Sequence, residues 1–161
     1  VDTGENTMTG GRLKRIQNYV KNEDAFCFTY GDGLGNIDIS ALITFHKKHN
    51  KKVTITATQP PGRYGVLKIG SDNHVKRFQE KPDGDGSWIN GGFFVLKPSV
   101  IDLIIGDQSI WEEEALNTLA KNDEILAFKH SGFWQPMDTL RDKKMLNDLW
   151  NNGHAPWKTW K

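Results

Sequence analysis

The sequence predicts an α/β fold whose mixed, mostly parallel sheet carries an inserted β-hairpin. Two observations point there. An aromatic-rich apolar run at Ala25–Tyr30, a helical repeat through Ile39, Leu42, Ile43 and His46, and the β-branched Val53–Thr58 follow one another in the strand–helix–strand order of a parallel sheet. Two short strand-like runs, Tyr64–Ile69 and His74–Gln79, then flank the turn-rich Gly70-Ser71-Asp72-Asn73, which breaks the parallel alternation with a hairpin.

The elements follow in order. Leu13, Ile16 and Val20 recur at helical spacing behind Thr9-Gly10-Gly11, so the spacing predicts a helix over Thr9–Val20. Ala25–Tyr30 reads as a fully buried strand that stops at Gly31-Asp32-Gly33, and Asp38–His49 as the helix after it. Beyond the hairpin, Gly92–Leu96 is strongly apolar, Pro98 opens a helix to Ile105, and a second helix spans Ser109–Lys121. Trp111-Glu112-Glu113-Glu114 puts acidic residues in the first turn of that second helix, where they complement its dipole. A strand at Ile125–Phe128 and a final helix from Thr139 to about Trp150 complete the pattern. No repeat or low-complexity linker divides residues 1–161, which are expected to form one domain. The Trp157 and Trp160 tail fits no helical packing and is expected to dock on the body or on a neighbouring subunit.

Composition narrows the function. A formal charge of +1 with interspersed signs leaves no basic block for nucleic acid or anionic lipid. No apolar stretch approaches the roughly 20 residues that span a bilayer. The single cysteine, Cys27, lies in the apolar run AFCFTY, so it is expected in the core rather than as a nucleophile; one cysteine builds neither a disulfide nor a metal cage, which fits a reducing, cytoplasmic compartment. His46 and His49 stand beside Lys47 and Lys48 and read as a solvated helix face rather than metal ligands.

Four segments carry candidate chemistry. In Tyr30-Gly31-Asp32-Gly33 a carboxylate stands at the end of an apolar strand, where open α/β sheets bind ligands and where Mg²⁺ accepts one or two carboxylates alongside substrate phosphates. Taken alone, Asp32 reads first as the Asx-turn of an Asp-Gly pair, the commoner fate of such a pair. Asp138, in Phe133-Trp134-Gln135-Pro136-Met137-Asp138-Thr139, precedes a helical run and alone reads as its N-cap. Glu80-Lys81-Pro82 delivers an acid suited to sugar hydroxyls and a base suited to phosphate, or else a solvated charge pair. Thr9-Gly10-Gly11-Arg12 opens a helix whose first N–H groups could meet a phosphate or a base edge.

The ordered set TGGR, YGDG, PPGRYG, EKP, INGGFFV and WQPMD, closed by Ala155-Pro156-Trp157-Lys158-Thr159-Trp160, resembles the sugar nucleotidyltransferase family over essentially the whole chain. The likeness is strongest to the branch that joins glucose 1-phosphate to CTP. It implies a Rossmann-like sheet of the nucleotide-diphospho-sugar transferase type and a cytoplasmic, homo-oligomeric enzyme that makes CDP-glucose for deoxysugar and O-antigen assembly. It also implies Mg²⁺ on Asp32 and Asp138, Lys81 at the sugar phosphate and Glu80 on glucose hydroxyls. Gly65, Asn90 and Gly91 would line the sugar pocket, with Gly31 in the turn beside it. Thr9, Gly10, Gly11 and Arg12 would lie beside the base, with Tyr30 near them.

One family element has no counterpart here, the glycine-rich loop followed by an arginine and a lysine that grips the triphosphate. The resemblance therefore implies that the family's first strands are missing, that a sheet edge stands open, and that residues 1–161 alone are inactive. Two other readings compete: a non-catalytic sugar-phosphate-binding or assembly fragment, and a carbohydrate-binding module suggested by six tryptophans but opposed by the strand–helix–strand order. The choice of base and hexose rests on the resemblance alone.

Overall fold

The structure, a computed structural model, describes residues 1–60, 66–79 and 87–160. Gly65, Glu80 and Lys81 lie outside the described residues. The described residues divide into two compact units: Val1–Thr29 with Ile39–Ile55 and Phe93–Phe128, and Tyr30–Asp38 with Thr56–Gly92 and Lys129–Lys161.

In the first unit the helix expected over Thr9–Val20 forms as two, α1 (Thr9–Arg15) and α2 (Gln17–Val20). Between them the Ile16 N–H bonds the Leu13 carbonyl only three residues back, at 3.3 Å, which tightens the turn and ends α1. Strand β1 (Phe26–Thr29) pairs antiparallel with β6 (Ile89–Leu96), from Phe26↔Leu96 to Thr29↔Phe93. It sits at the edge of a four-strand mixed sheet ordered β1-β6-β3-β7, with β3 at Val53–Thr58 and β7 at Ile125–His130. That position corrects two expectations. β1 is not fully buried, for Cys27 and Thr29 point outward while Phe26 and Phe28 are half-buried, and Cys27 is an exposed residue rather than a core one. An edge strand with one open face turns every second side chain to solvent. Partial desolvation nevertheless raises the Cys27 thiol above its ordinary pKa, away from nucleophile chemistry.

The core of this unit gathers on Trp111, which is fully buried and meets Phe94 and Phe28 edge-on at 6.1 and 6.3 Å, while Phe28 and Phe94 stack at 5.4 Å. Trp111 opens a π-helical turn, Trp111–Ala115, that runs into α4 (Leu116–Lys121). The helix expected from Pro98 is a 3-10 helix, Pro98–Leu103, with its proline at the first turn. Helix α3 (Ile39–Lys47) turns Leu42 and His46, one helical turn apart, into the core. His46 is thus 3% exposed, not solvated. Its Nδ1 lies 2.9 Å from Thr54 Oγ1, which also meets His49 Nε2 at 2.8 Å. Burial first, then His49 and Lys97, push the His46 pKa down to about 4.

In the second unit, β4 (Val66–Ile69) and β5 (Val75–Gln79) form the expected hairpin, registered from Val66↔Gln79 and closed by the Asn73 N–H on Gly70 O at 3.0 Å. A shorter ladder that the sequence did not disclose joins β2 (Gly33–Gly35) to β8 (Trp134–Pro136). Helix α5 (Leu140–Asn151) follows, and the chain after it folds back, Trp157 against Phe133 at 5.5 Å and Trp160 against Trp150 at 6.5 Å. The tail therefore docks on its own unit. Among the described residues no helix is long and apolar enough to cross a membrane.

Candidate functional site

The β2–β8 ladder is antiparallel, with Gly33↔Pro136, Leu34↔Gln135 and Gly35↔Trp134 in register. One step beyond Gly33 the pairing continues, for Met137 N donates to the Asp32 carbonyl at 2.8 Å. Asp32 and Asp138 consequently leave the same end of one ladder, and both are exposed. Three-residue strands, Gly-Leu-Gly and Trp-Gln-Pro, are too short to carry an alternation to read, which is why the sequence placed these aspartates in separate loops.

The helix start after Asp138 removes its simpler explanation. Thr139, not Asp138, is the N-cap of α5: its hydroxyl accepts from Asp142 N at 3.2 Å while the Asp142 carboxylate accepts from Thr139 N at 3.1 Å, a reciprocal capping box. Asp138 stands just outside that box. Two exposed aspartates at one ladder end, Asp32 opposite Met137 and Asp138 the next residue, are the kind of sparse carboxylate set that suits Mg²⁺, which prefers few protein carboxylates and completes its octahedron with phosphates and water. Among the described residues no group of three or more His, Cys, Asp or Glu side chains is gathered to hold a metal by itself, so any cation here needs a ligand's oxygens too.

Beside the ladder stands a wall built from Tyr30 and the start of β6. Tyr30 N donates to Gly92 O at 2.9 Å, Asn90 Nδ2 to the Tyr30 hydroxyl at 3.1 Å, and Gly92 N to Asn90 Oδ1 at 2.8 Å. The Trp134 indole N–H donates to Gly91 O at 2.8 Å and ties this wall to β8. Gly92 has φ +76°, and a Cβ there would come within 2.8 Å of the Tyr30 ring, so the wall needs glycine for both backbone and space. Gly31 faces open space. Tyr30, Gly31, Asp32, Asn90, Gly91 and Asp138 thus belong to one compact unit. Sequence reasoning missed Trp134, Gln135, Thr139 and Asp142 in this cluster; the Thr-x-x-Asp spacing of a capping box was the available signal for the last two.

Thr9, Gly10, Gly11 and Arg12 lie in the other unit. The free donors expected at that helix start are already engaged. Gly10 N and Gly11 N both bond Ser109 O, at 3.0 and 3.3 Å, and a Cβ on Gly10 would come 2.7 Å from the same oxygen. The Thr9 hydroxyl accepts from Trp111 N at 3.0 Å and donates to Glu112 at 2.9 Å, capping the π-helical turn. Arg12 bonds Thr3 Oγ1 and Glu5 O.

The nucleotidyl transferase family matches residues 4–139. Over 160 residues the chain is 64% identical to a glucose-1-phosphate cytidylyltransferase of Salmonella typhimurium, covering 99% of this chain and 62% of that one. A probable glucose-1-phosphate cytidylyltransferase of Bacillus subtilis is 39% identical over 161 residues, again 99% of this chain and 62% of that one. A mannose-1-phosphate guanyltransferase of Saccharomyces cerevisiae is 35% identical over 152 residues, 88% of this chain and 42% of that one. The chain therefore spans 62% of the length of the cytidylyltransferases it matches. Among solved structures, a putative glucose-1-phosphate thymidylyltransferase from Bacillus anthracis superposes with a TM-score of 0.68 at 16% identity, over 98% of this chain and 65% of that one. HddC from Yersinia pseudotuberculosis gives 0.64 at 23% identity, over 91% and 64%. Both share the α/β fold with its mixed sheet.

Proposed function

The chain belongs to the nucleotidyl transferase family, and from that premise we propose that its protein transfers a cytidylyl group from CTP to α-D-glucose 1-phosphate, giving CDP-glucose and pyrophosphate. The observation that carries the reading is the Met137 N to Asp32 O bond, which sets two carboxylates at one ladder end as a two-carboxylate cation site requires. The choice of cytosine and glucose is supported by the 64% identity to a protein of that name.

In this reading a phosphate oxygen of glucose 1-phosphate attacks the α-phosphorus of CTP. The new P–O bond forms as the bond to the departing pyrophosphate breaks. The nucleophile is already ionised near neutral pH, so no general base is needed, and positioning and charge neutralisation supply the catalysis. Asp32 and Asp138 would hold Mg²⁺, which when bound supplies positive charge against the phosphates. By the family resemblance Lys81 would meet the sugar phosphate and Glu80 the glucose hydroxyls, and Gly65, Asn90 and Gly91 would line the sugar pocket. Thr9 to Arg12 would lie beside the base, with the Gly10, Gly11 and Arg12 N–H groups and the Thr9 hydroxyl already engaged within their own unit. The whole protein would act as a homo-oligomer that feeds CDP-glucose to deoxysugar assembly.

Calorimetric titration of glucose 1-phosphate into the chain, with and without Mg²⁺, tests the site. Cation-dependent binding is expected, with its loss in Asp32→Asn and in Asp138→Asn. Unchanged binding in both variants refutes the assignment.

A further inference from the structure

The geometry points to Asp142 as a positioning residue that holds the Asp138 carboxylate beside Asp32 for a divalent cation, an inference that rests on the cation-site reading above. Asp142 is buried, 9% exposed, in the first turn of α5. Its Oδ2 accepts from Thr139 N at 3.1 Å and from Thr139 Oγ1 at 2.8 Å. Its Oδ1 accepts from Gln135 Nε2 at 3.1 Å, and Gln135 is itself buried on β8. Gln135 and Thr139 bracket Pro136-Met137-Asp138, so one carboxylate grips the chain on both sides of Asp138.

A capping box needs only the threonine and the acid, and an exposed acid serves it. The bond to Gln135 and the burial of the carboxylate exceed that need, since burying a charge is costly unless it is fully hydrogen-bonded. What they add is a fixed path for Pro136 to Thr139. The Met137 N–H on Asp32 O fixes the same path from the other side. Asp138 thus lies on a stretch of chain anchored on both sides, Thr139 by Asp142 and Met137 by the Asp32 carbonyl.

Manganese titration followed by electron paramagnetic resonance reads the site directly. Asp142→Asn keeps the shape but removes the charge and turns an amide NH2 toward either the Thr139 backbone N–H or the Gln135 Nε2, each of which donates to the parent carboxylate. It is expected to weaken Mn²⁺ binding about 10–100-fold, the range for loss of an outer partner, while far-UV circular dichroism and cooperative thermal unfolding persist. Thr139→Ser keeps the hydroxyl and is expected to bind like the parent; Thr139→Val is expected to weaken binding. A folded Asp142→Asn that binds Mn²⁺ as tightly as the parent overturns the inference. Should that variant not fold, Gln135→Met removes the Oδ1 donor instead, and parental affinity in it has the same consequence. Asp138→Asn separates the two levels. If it too binds as the parent does, the cation site itself is misassigned; if it loses Mn²⁺ while Asp142→Asn does not, only the positioning role falls.

Discussion

Replacing Gly92 by alanine tests the wall beside the ladder through two independent penalties. At φ +76° an L-residue pays about 1–2 kcal/mol for the left-handed backbone. The added Cβ also lands 2.8 Å from Tyr30 Cδ2 and 3.3 Å from Cγ, inside the usual 3.5–4.0 Å carbon contact, so the ring must move. Moving it breaks the Asn90 Nδ2 bond to the Tyr30 hydroxyl, worth about 0.5–1.5 kcal/mol. The sum is about 1.5–3.5 kcal/mol of lost stability. Tyr30→Phe isolates the hydroxyl bond at about 1 kcal/mol, and Gly92→Ala with Tyr30→Phe together should cost less than the sum, because both remove that bond. Urea unfolding of the four proteins measures each term. A Gly92→Ala variant within about 0.5 kcal/mol of the parent refutes the account, as does strict additivity in the double variant.

Acid should find His46. Its folded pKa of about 4 lies below the ordinary 6.5, so between those values the unfolded chain binds a proton that the folded one refuses. Stability then falls as pH drops from 6.5 towards 4, by about 3 kcal/mol in all, and the effect vanishes above pH 7. Urea unfolding at pH 7 and pH 4.5 is expected to show a smaller loss in His46→Asn, and an equal loss contradicts the burial of this ring. Thr9→Val removes the hydroxyl that caps the turn at Trp111 and is expected to cost about 1–2 kcal/mol, with Thr9→Ser close to the parent. Denaturation midpoints for the pair decide it, and a stable Thr9→Val removes the capping role.

Periodic elements were legible and short ones were not. Val53–Thr58 and the hairpin follow from β-branching and a turn-rich tetrad, and α5 from its apolar spacing. Ile16 broke a periodic helix because the turn tightened there, which no spacing announces. Cys27 looked like core because its neighbours are apolar, but apolar composition does not say which side of a strand is covered. His46 looked solvated because its neighbours Lys47 and Lys48 are charged, although its position one turn after Leu42 placed it on the inner face. For the site, the sequence singled out the two aspartates as candidates without the ladder that joins them, and taken alone it read Asp138 as the cap where Thr139 holds it. The first failure is one of range, since pairing between distant three-residue strands leaves no local trace. The second is one of register, where a single residue decides which side chain is consumed by the helix and which remains beside the ladder.

The β2–β8 ladder has a kinetic consequence. Roughly a hundred residues of chain must be brought round before Met137 can reach Asp32, and the closure of so long a loop is entropically unfavourable until the elements between have formed. Three residues on each side offer little to nucleate such a contact early. Asp32 and Asp138 should therefore meet late in folding, so that the proposed affinity for a divalent ion would appear only after most of the chain is already in place and would serve as a marker of completed folding.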